Sequence, residues 1–235
     1  MSNSWGYLDE QGSEADISIR RKLMFDTAVK LCKDSSSILN LGAGYNLHFE
    51  KIVLRSDVEK IIKVDMYGRK LPKEPPGIKF MDGNIERNDF YAENFDHKSF
   101  DTIVIFDVLE HIVEIDLVLE NSYKILKNNG NLIISIPNLA SITNRLNLMI
   151  GYQPPSVEIS DIYPMSGMGL LGKMNYRQNA QSIHHIRGIT SRALLELLKN
   201  HGFQITKTFG FSFLPFWPKR AINACQLLLV EARKS

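Results

Sequence analysis

The sequence predicts a single α/β domain with a doubly wound, mainly parallel sheet of seven strands between two layers of helices. The first observation is a glycine turn, Gly42-Ala43-Gly44, directly after a short apolar run. The second is that apolar runs and helical segments then alternate along the chain, with polar residues at the end of each run. Because the carboxyl ends of parallel strands meet at one edge of an open sheet, this order predicts a ligand site there.

The composition is that of an ordinary soluble protein, with 235 residues, 44% hydrophobic and 23% charged. A net charge of +2 gives no strong field for nucleic acid, so no nucleic-acid partner is expected. Cys32 and Cys225 are far apart, and residues 1–5 do not resemble a signal peptide, so we expect a cytoplasmic protein. No apolar stretch approaches the roughly 20 residues that span a bilayer, so stable membrane insertion is not expected. The oligomeric state stays open.

The first predicted elements surround the glycine turn. Residues 17–33 predict a helix capped by Asp16 that packs beside the first strand. Gly42 and Gly44 have no Cβ, so the backbone can turn sharply and a ligand can lie directly against it. Asn46 stands where a dinucleotide fingerprint would have its third glycine.

The second and third predicted strands end in polar residues. The second, 61–65, ends in Asp65, which can hold both hydroxyls of a ribose or is simply a solvated acid at a strand end. The third begins at Ile78 and runs into residues suited to an adenine amine. These are Asp82, Gly83, Asn84 and Ile85.

The fourth predicted strand begins at Phe100 and ends in an acidic turn, Asp107 to His111. Asp107 and Glu110 either lie near a bound ligand or place negative charge at the N-terminus of the following helix. His111 is either a structural histidine or a neighbour of the reacting group.

The remaining regular elements complete the predicted sheet. A helix at about 112–127 is followed by a turn at 128–130 and a fifth strand at 131–136. A helix from Thr190 to His201 then precedes two further strands, 203–211 and 226–232.

An irregular segment, 151–187, interrupts this pattern. Its proline and glycine content excludes a sustained helix or strand period, and long loops of this kind are usually functional or disordered. Its aromatic and methionine content favours a lid over the ligand pocket. The tyrosines assigned to an acceptor pocket are Tyr152, Tyr163 and Tyr176.

The end of this segment carries candidate catalytic side chains. His184 or His185 could act as a general base, with His111 as a further candidate, and a structural role is the alternative for each. No set of ligands at metal spacing accompanies them, so no metal site is expected. Arg177 and Arg187 could orient an anionic group.

The chain resembles the class I S-adenosylmethionine-dependent methyltransferases, of the ubiquinone-biosynthesis type. Leu41-Gly42-Ala43-Gly44 is similar to their first motif and Val64-Asp65 to their second. The runs 100–104 and 107–111 are similar to their fourth-strand signature, and 126–132 to the turn before strand five. Asn40 departs from this pattern, because an acid usually stands there.

The resemblance implies a Rossmann-like sheet whose last strand is antiparallel, and S-adenosylmethionine as cofactor. It implies a cofactor site formed by Asn40, Gly42, Ala43, Gly44, Asn46, Asp65, Met66, Asp82, Gly83, Asn84, Ile85, Phe106, Asp107 and Val108. The expected reaction is methyl transfer to a small molecule, with an oxygen acceptor such as a sugar or a cell-surface glycan precursor. Within this class the alternative is N-methylation or methylation of a phosphorylated small molecule.

Two alternatives from other classes stay open at this point. An NAD-dependent oxidoreductase would use the same glycine turn for a pyrophosphate, but the third glycine is missing and the expected antiparallel pair argues against it. The other is a catalytically silent module that keeps the cofactor site.

Overall fold

The computed structural model describes residues 18–44, 47–54, 58–68, 74–170, 184–212 and 222–235. The strands are β1 (Ser37–Leu41), β2 (Lys60–Asp65), β3 (Ile78–Asp82), β4 (Phe100–Phe106), β5 (Leu126–Pro137), β6 (Phe203–Phe211) and β7 (Leu227–Lys234). The helices are α1 (Ile19–Leu31), α2 (His48–Val53), α3 (Asn88–Asn94), α4 (Ile115–Ile125), α5 (Ile142–Met149) and α6 (Ser191–Asn200), with a 3-10 turn at Ile222–Ala224. Asn46 lies outside the described residues.

The seven strands form one sheet in the order β3-β2-β1-β4-β5-β7-β6. Strands β1 to β5 pair in parallel, whereas β7 is antiparallel to both of its neighbours. The predicted fold class, a mainly parallel seven-stranded sheet with an antiparallel last strand, is therefore confirmed. The strand order reverses at β1, between β2 and β4, and such a switch point opens a crevice at the carboxyl edge of the sheet.

Successive residues of each central strand lie on opposite faces of the sheet. Ile38 of β1 and Ile61 of β2 belong to one buried cluster, together with Met24 of α1 and Phe49 of α2. Their neighbours along the strands belong to a second cluster that contains apolar side chains of α3, α4 and α6. Because both faces are covered, the strands are nearly continuous apolar runs, as is typical of parallel sheets.

The helix boundaries differ from the prediction at both ends of α1 and α4. Helix α1 begins after Ser18, whose hydroxyl accepts the N–H of Arg21, so Ser18 rather than Asp16 is its cap. Helix α4 begins at Ile115, and β5 follows it directly. The predicted turn is instead a bulge of β5, in which Asn129 has a φ of +62° and the pairing with β4 shifts register.

Helix α5 was not predicted. It begins after Ser141, and its buried positions are polar. Asn144 donates hydrogen bonds to the carbonyl oxygen of Asn138 and to the hydroxyl of Ser156. The apolar side chains Leu146 and Met149 are exposed instead, so apolar periodicity gave no signal for burial here.

The described parts of the irregular segment, 151–170 and 184–187, consist mainly of turns and bends, as predicted. Residues 171–183 lie outside the described residues, as do residues 1–17, which include Asp16. Among the helices described, none has the length and apolar character needed to cross a membrane.

Candidate active site

A hydrogen-bonded unit joins the turn after β1 to the end of β2. Oδ2 of Asp65 accepts the N–H of Gly44 at 2.6 Å, and Oδ1 accepts the N–H of Met66 at 2.7 Å. The hydroxyl of Tyr67 donates to the carbonyl oxygen of Gly44 at 2.7 Å. Asp65 is only partly buried, and each carboxylate oxygen can accept a further hydrogen bond. The Asp65 carboxylate, which is predicted to bind the ribose, is therefore held in one orientation at the sheet edge. The exposed Met66 lies beside it.

The two glycines of this turn have different surroundings. A Cβ on Gly42 would lie 2.4 Å from Cγ2 of Val108, so Gly42 lets the turn after β4 pack against the turn after β1. Among the described residues, a Cβ on Gly44 would meet nothing within 4 Å. Both have positive φ, +68° and +54°. Ala43, between them, donates its N–H to the carbonyl oxygen of Val64. The open side of Gly44 fits close approach of a ligand, whereas Gly42 is needed for packing.

The end of β3 contributes an exposed acid, a partly buried glycine and a buried isoleucine. Asp82 pairs in register with Asp65, and its Oδ1 accepts the N–H of Gly68 at 2.7 Å. A Cβ on Gly83 would lie 2.1 Å from the ring of Phe90, and Ile85 is buried. Asp82 is thus the polar side chain of this strand end that faces the edge.

Asn84 has a local role in the same loop. Its Oδ1 accepts the N–H of Glu86 at 2.9 Å. The carboxylate of Glu86 in turn accepts the N–H groups of Val113 and Glu114, at 2.6 and 3.0 Å. These bonds fix the loop after β3 against the start of α4.

Two residues of the predicted cofactor site, Asn40 and Phe106, have side-chain partners inside the fold. The amide nitrogen of Asn40 donates to Glu50 at 2.7 Å, and Glu50 is 3.3 Å from the ammonium group of Lys63. All three side chains are buried, and burial lowers the pKa of Lys63. Phe106 packs edge-on against Phe49, with ring centroids 5.0 Å apart. Their side chains therefore support the glycine turn from inside the fold.

Asp107 is held in a strained turn after β4 by residues distant in sequence. Its φ is +53°, which is uncommon for a residue other than glycine. The hydroxyl of Ser135 donates to its Oδ1 at 2.7 Å, and Arg21 of α1 donates to its Oδ2 at 2.8 Å. Because α4 begins at Ile115, neither Asp107 nor Glu110 lies in its first turn. The alternative that they serve that helix terminus is therefore wrong.

Three ionisable side chains meet beside this turn. The Nε2 atoms of His111 and His185 lie 3.9 and 3.8 Å from Oε1 of Glu110. The centroids of the two imidazole rings are 4.8 Å apart. Nδ1 of His111 lies 3.1 Å from the carbonyl oxygen of His184, and Nδ1 of His185 lies 2.9 Å from that of Ser156. The fold thus joins the turn after β4 to the end of the irregular segment.

Burial shifts the pKa of each member of this cluster towards its uncharged form. Burial, reinforced by the nearby carboxylate of Asp107, raises the pKa of Glu110 well above its usual range. Burial and the neighbouring imidazole of His185 lower the pKa of His111 to about 4. Burial also lowers the pKa of His185. Both imidazoles are therefore neutral and carry a lone pair at one nitrogen.

Two further predicted residues, His184 and Arg187, have side-chain contacts outside the cluster. The ring of His184 contacts the carboxylate of Asp161 at 3.0 Å, and its backbone oxygen lies 3.1 Å from Nδ1 of His111. The guanidinium of Arg187 donates to the carbonyl oxygen of Val113 at 3.0 Å. His111 and His185, rather than His184, form the histidine pair of this site.

The described tyrosines of the irregular segment are exposed. Tyr152 lies against Gly169 and is 44% exposed, and Tyr163 is 70% exposed. Tyr176 and Arg177 lie outside the described residues. Sequence reasoning also missed Arg21, Glu50 and Lys63, because each acts through a partner distant in the chain.

The fold is that of a class I, Rossmann-like methyltransferase. Its defining features are the strand order, the antiparallel β7 and the polar side chains at the strand ends beside the switch point. A family model described as a methyltransferase domain matches residues 17–208, and the chain belongs to this methyltransferase family. The family resemblance of the sequence motifs is thereby confirmed, and the protein is an enzyme. No curated protein matches the sequence.

Solved structures share this fold at low sequence identity. A methyltransferase from Archaeoglobus fulgidus, described as SAM-dependent, is 15% identical with a TM-score of 0.60, over 92% of this chain and 94% of that one. The N-methyltransferase NodS from Bradyrhizobium japonicum, in complex with S-adenosyl-L-homocysteine, is 13% identical with a TM-score of 0.55, over 96% and 93%. An O-methyltransferase family protein from Burkholderia thailandensis is 12% identical with a TM-score of 0.56, over 91% and 56%. At these identities the likeness shows the fold alone. Nothing in the comparisons supports the NAD-dependent oxidoreductase.

Proposed function

We propose that this methyltransferase transfers the methyl group of S-adenosylmethionine to a hydroxyl oxygen of a small molecule. The observation that carries this proposal is the adjacency of two units at one sheet edge. The first is the Gly44–Asp65 unit at the ends of β1 and β2. The second is the Glu110–His111–His185 cluster beside the turn after β4. Strand β4 is the parallel neighbour of β1, so the two units lie at neighbouring strand ends.

The first unit fits the cofactor's nucleoside. The Asp65 carboxylate would accept hydrogen bonds from ribose hydroxyls, and the open face of Gly44 would admit the ligand against the backbone. Asp82, exposed at the next strand end, would serve the adenine side. When bound, the cofactor supplies an activated methyl group on a sulfonium.

The second unit fits a hydroxyl acceptor. The acceptor must lose its proton as its oxygen gains the methyl group, and a nitrogen base that is uncharged at neutral pH can take that proton. Each Nε2 atom, of His111 and of His185, carries a lone pair, and both atoms lie beside Oε1 of Glu110. These atoms can take the proton directly, or they can hold a cation that lowers the pKa of the hydroxyl. A sugar or a cell-surface glycan precursor is a suitable acceptor.

Two measurements test this proposal. Thermal-shift titration should show stabilisation by S-adenosylhomocysteine and none by NAD or NADP, since ligands that bind only the folded state raise its stability. Transfer of an isotopically labelled methyl group should then be screened over acceptors with free hydroxyls and matched amines. Labelling confined to the amines would overturn the oxygen assignment, and stabilisation by NAD alone would overturn the cofactor assignment.

A further inference from the structure

The Glu110–His111–His185 cluster has the composition of a metal site. One ligand-type atom from each residue lies within 4.8 Å of the others. Glu110 is 2% exposed, and within the described part of the chain neither of its carboxylate oxygens has a hydrogen-bond partner. A buried carboxylate that lacks partners is unfavourable, and cations are among the groups that compensate it. Its unsatisfied oxygens therefore point to a ligand at this place.

The histidines present the correct nitrogen atoms to that place. Nδ1 of each lies within hydrogen-bond distance of a backbone carbonyl oxygen, 3.1 Å for His111 and 2.9 Å for His185. A carbonyl oxygen can only accept, so each Nδ1 carries the proton and each Nε2 carries a lone pair. Metal-binding histidines are usually fixed in this way, by donating the other ring nitrogen's proton to an oxygen.

We propose that Glu110, His111 and His185 bind one divalent first-row transition-metal cation, such as Zn²⁺ or Mn²⁺. Two imidazole nitrogens and one carboxylate are ligands that these ions accept. Ligand atoms at about 2.1 Å from one ion lie about 3.0–3.5 Å apart, so the separations of 3.8 and 3.9 Å must contract by about 0.3–0.9 Å. Three protein ligands leave coordination positions open for an oxygen of another molecule.

The cation would also fix the irregular segment. His185 belongs to the returning end of that segment, whereas Glu110 and His111 follow β4. The carbonyl oxygen of Glu110 already accepts the N–H of Ile186 at 3.0 Å. The catalytic role of the ion rests on the proposed function: it would bind the acceptor hydroxyl and make its proton more acidic. The binding of the ion does not depend on that role.

The test is direct metal binding by the full chain. Protein stripped with a chelator is dialysed against Zn²⁺ or Mn²⁺, and bound metal per chain is measured by mass spectrometry. We expect one equivalent for the wild type, and at least a tenfold weaker affinity for Glu110→Gln and for His185→Gln. The control is His201→Gln, since His201 contacts Asp116 at 2.8 Å and is separate from the cluster. It should bind metal like the wild type. Glu110→Gln keeps the shape of the side chain, so it tests the ligand role where the histidine variant fails to fold.

The outcomes separate this inference from the proposed function. A wild-type protein that binds neither metal, or variants that bind as tightly as the wild type, overturns the metal site. If S-adenosylhomocysteine still binds and the histidine variants lose turnover without any bound metal, the histidines act as bases and the proposed function stands. If S-adenosylhomocysteine does not bind, the proposed function fails whatever the metal result.

Discussion

The backbone N–H of Gly44 donates a 2.6 Å hydrogen bond to Oδ2 of Asp65. This bond ties the turn after β1 to the end of β2 and holds the carboxylate beside the open face of the glycine. A single side chain thus orders the turn and keeps acceptor capacity for a ligand.

Asp65→Ala should weaken the binding of S-adenosylhomocysteine by about 1–3 kcal/mol, because charge-assisted hydrogen bonds to the ribose are lost. Isothermal titration calorimetry measures this, with circular dichroism to confirm folding. Asp116→Asn, which changes an exposed acid in contact with His201, is the matched control. Unchanged affinity in Asp65→Ala would exclude Asp65 from the cofactor site.

Valine substitutions at the two glycines should affect different properties, cofactor binding at Gly44 and stability at Gly42. Gly44→Val has space for its side chain and should cost about 1–2 kcal/mol for its positive φ, yet it should bind S-adenosylhomocysteine at least tenfold more weakly. Gly42→Val would clash with Val108 and should lose about 2–4 kcal/mol of stability. Urea unfolding and calorimetry separate the two effects. Normal cofactor binding by Gly44→Val would make this turn merely structural.

Removing the buried acid beneath the turn should destabilise the fold. Glu50→Ala leaves the ammonium group of Lys63 buried without this carboxylate, and loss of one partner of a buried pair costs about 3–5 kcal/mol. The exposed Glu59→Ala should change stability by less than about 0.5 kcal/mol. Urea midpoints compare the two variants, and equal midpoints would contradict the role assigned to the pair.

Arg21→Ala should loosen the turn after β4. It removes the 2.8 Å hydrogen bond to Asp107, and the partial exposure of Arg21 limits the cost to about 1 kcal/mol. Lys22→Ala, on the exposed side of the same helix, is the control and should be close to neutral. If both variants unfold at the same urea concentration, the ion pair contributes nothing measurable.

The sheet could be predicted because each strand is a buried apolar run with a polar end. The expectation that Gly44 and Asp65 share one edge followed from the same logic, since β1 and β2 are parallel neighbours and their ends meet. The hydrogen bond between the two residues was not predicted. By contrast, α5 escaped prediction because it buries asparagines and exposes leucines. Only the capping serine, Ser141, marked its start.

The parts of the site that could not be predicted depend on the path of the chain. His185 reaches Glu110 only because the irregular segment returns beside the turn after β4. The spacing of these residues along the sequence does not indicate that they meet, so no metal ligand set was expected. Lys63 lies in an apolar strand and gave no sign that it pairs with Glu50, nor could Arg21 be linked to Asp107.

A crystal structure of the protein with S-adenosylhomocysteine would locate the cofactor relative to both units of the site. We expect ribose hydroxyls within hydrogen-bond distance of the Asp65 carboxylate, and the cofactor sulfur on the side of the Glu110–His111–His185 cluster. A ribose bound away from Asp65, or a sulfur that opens away from the cluster, would contradict this expectation.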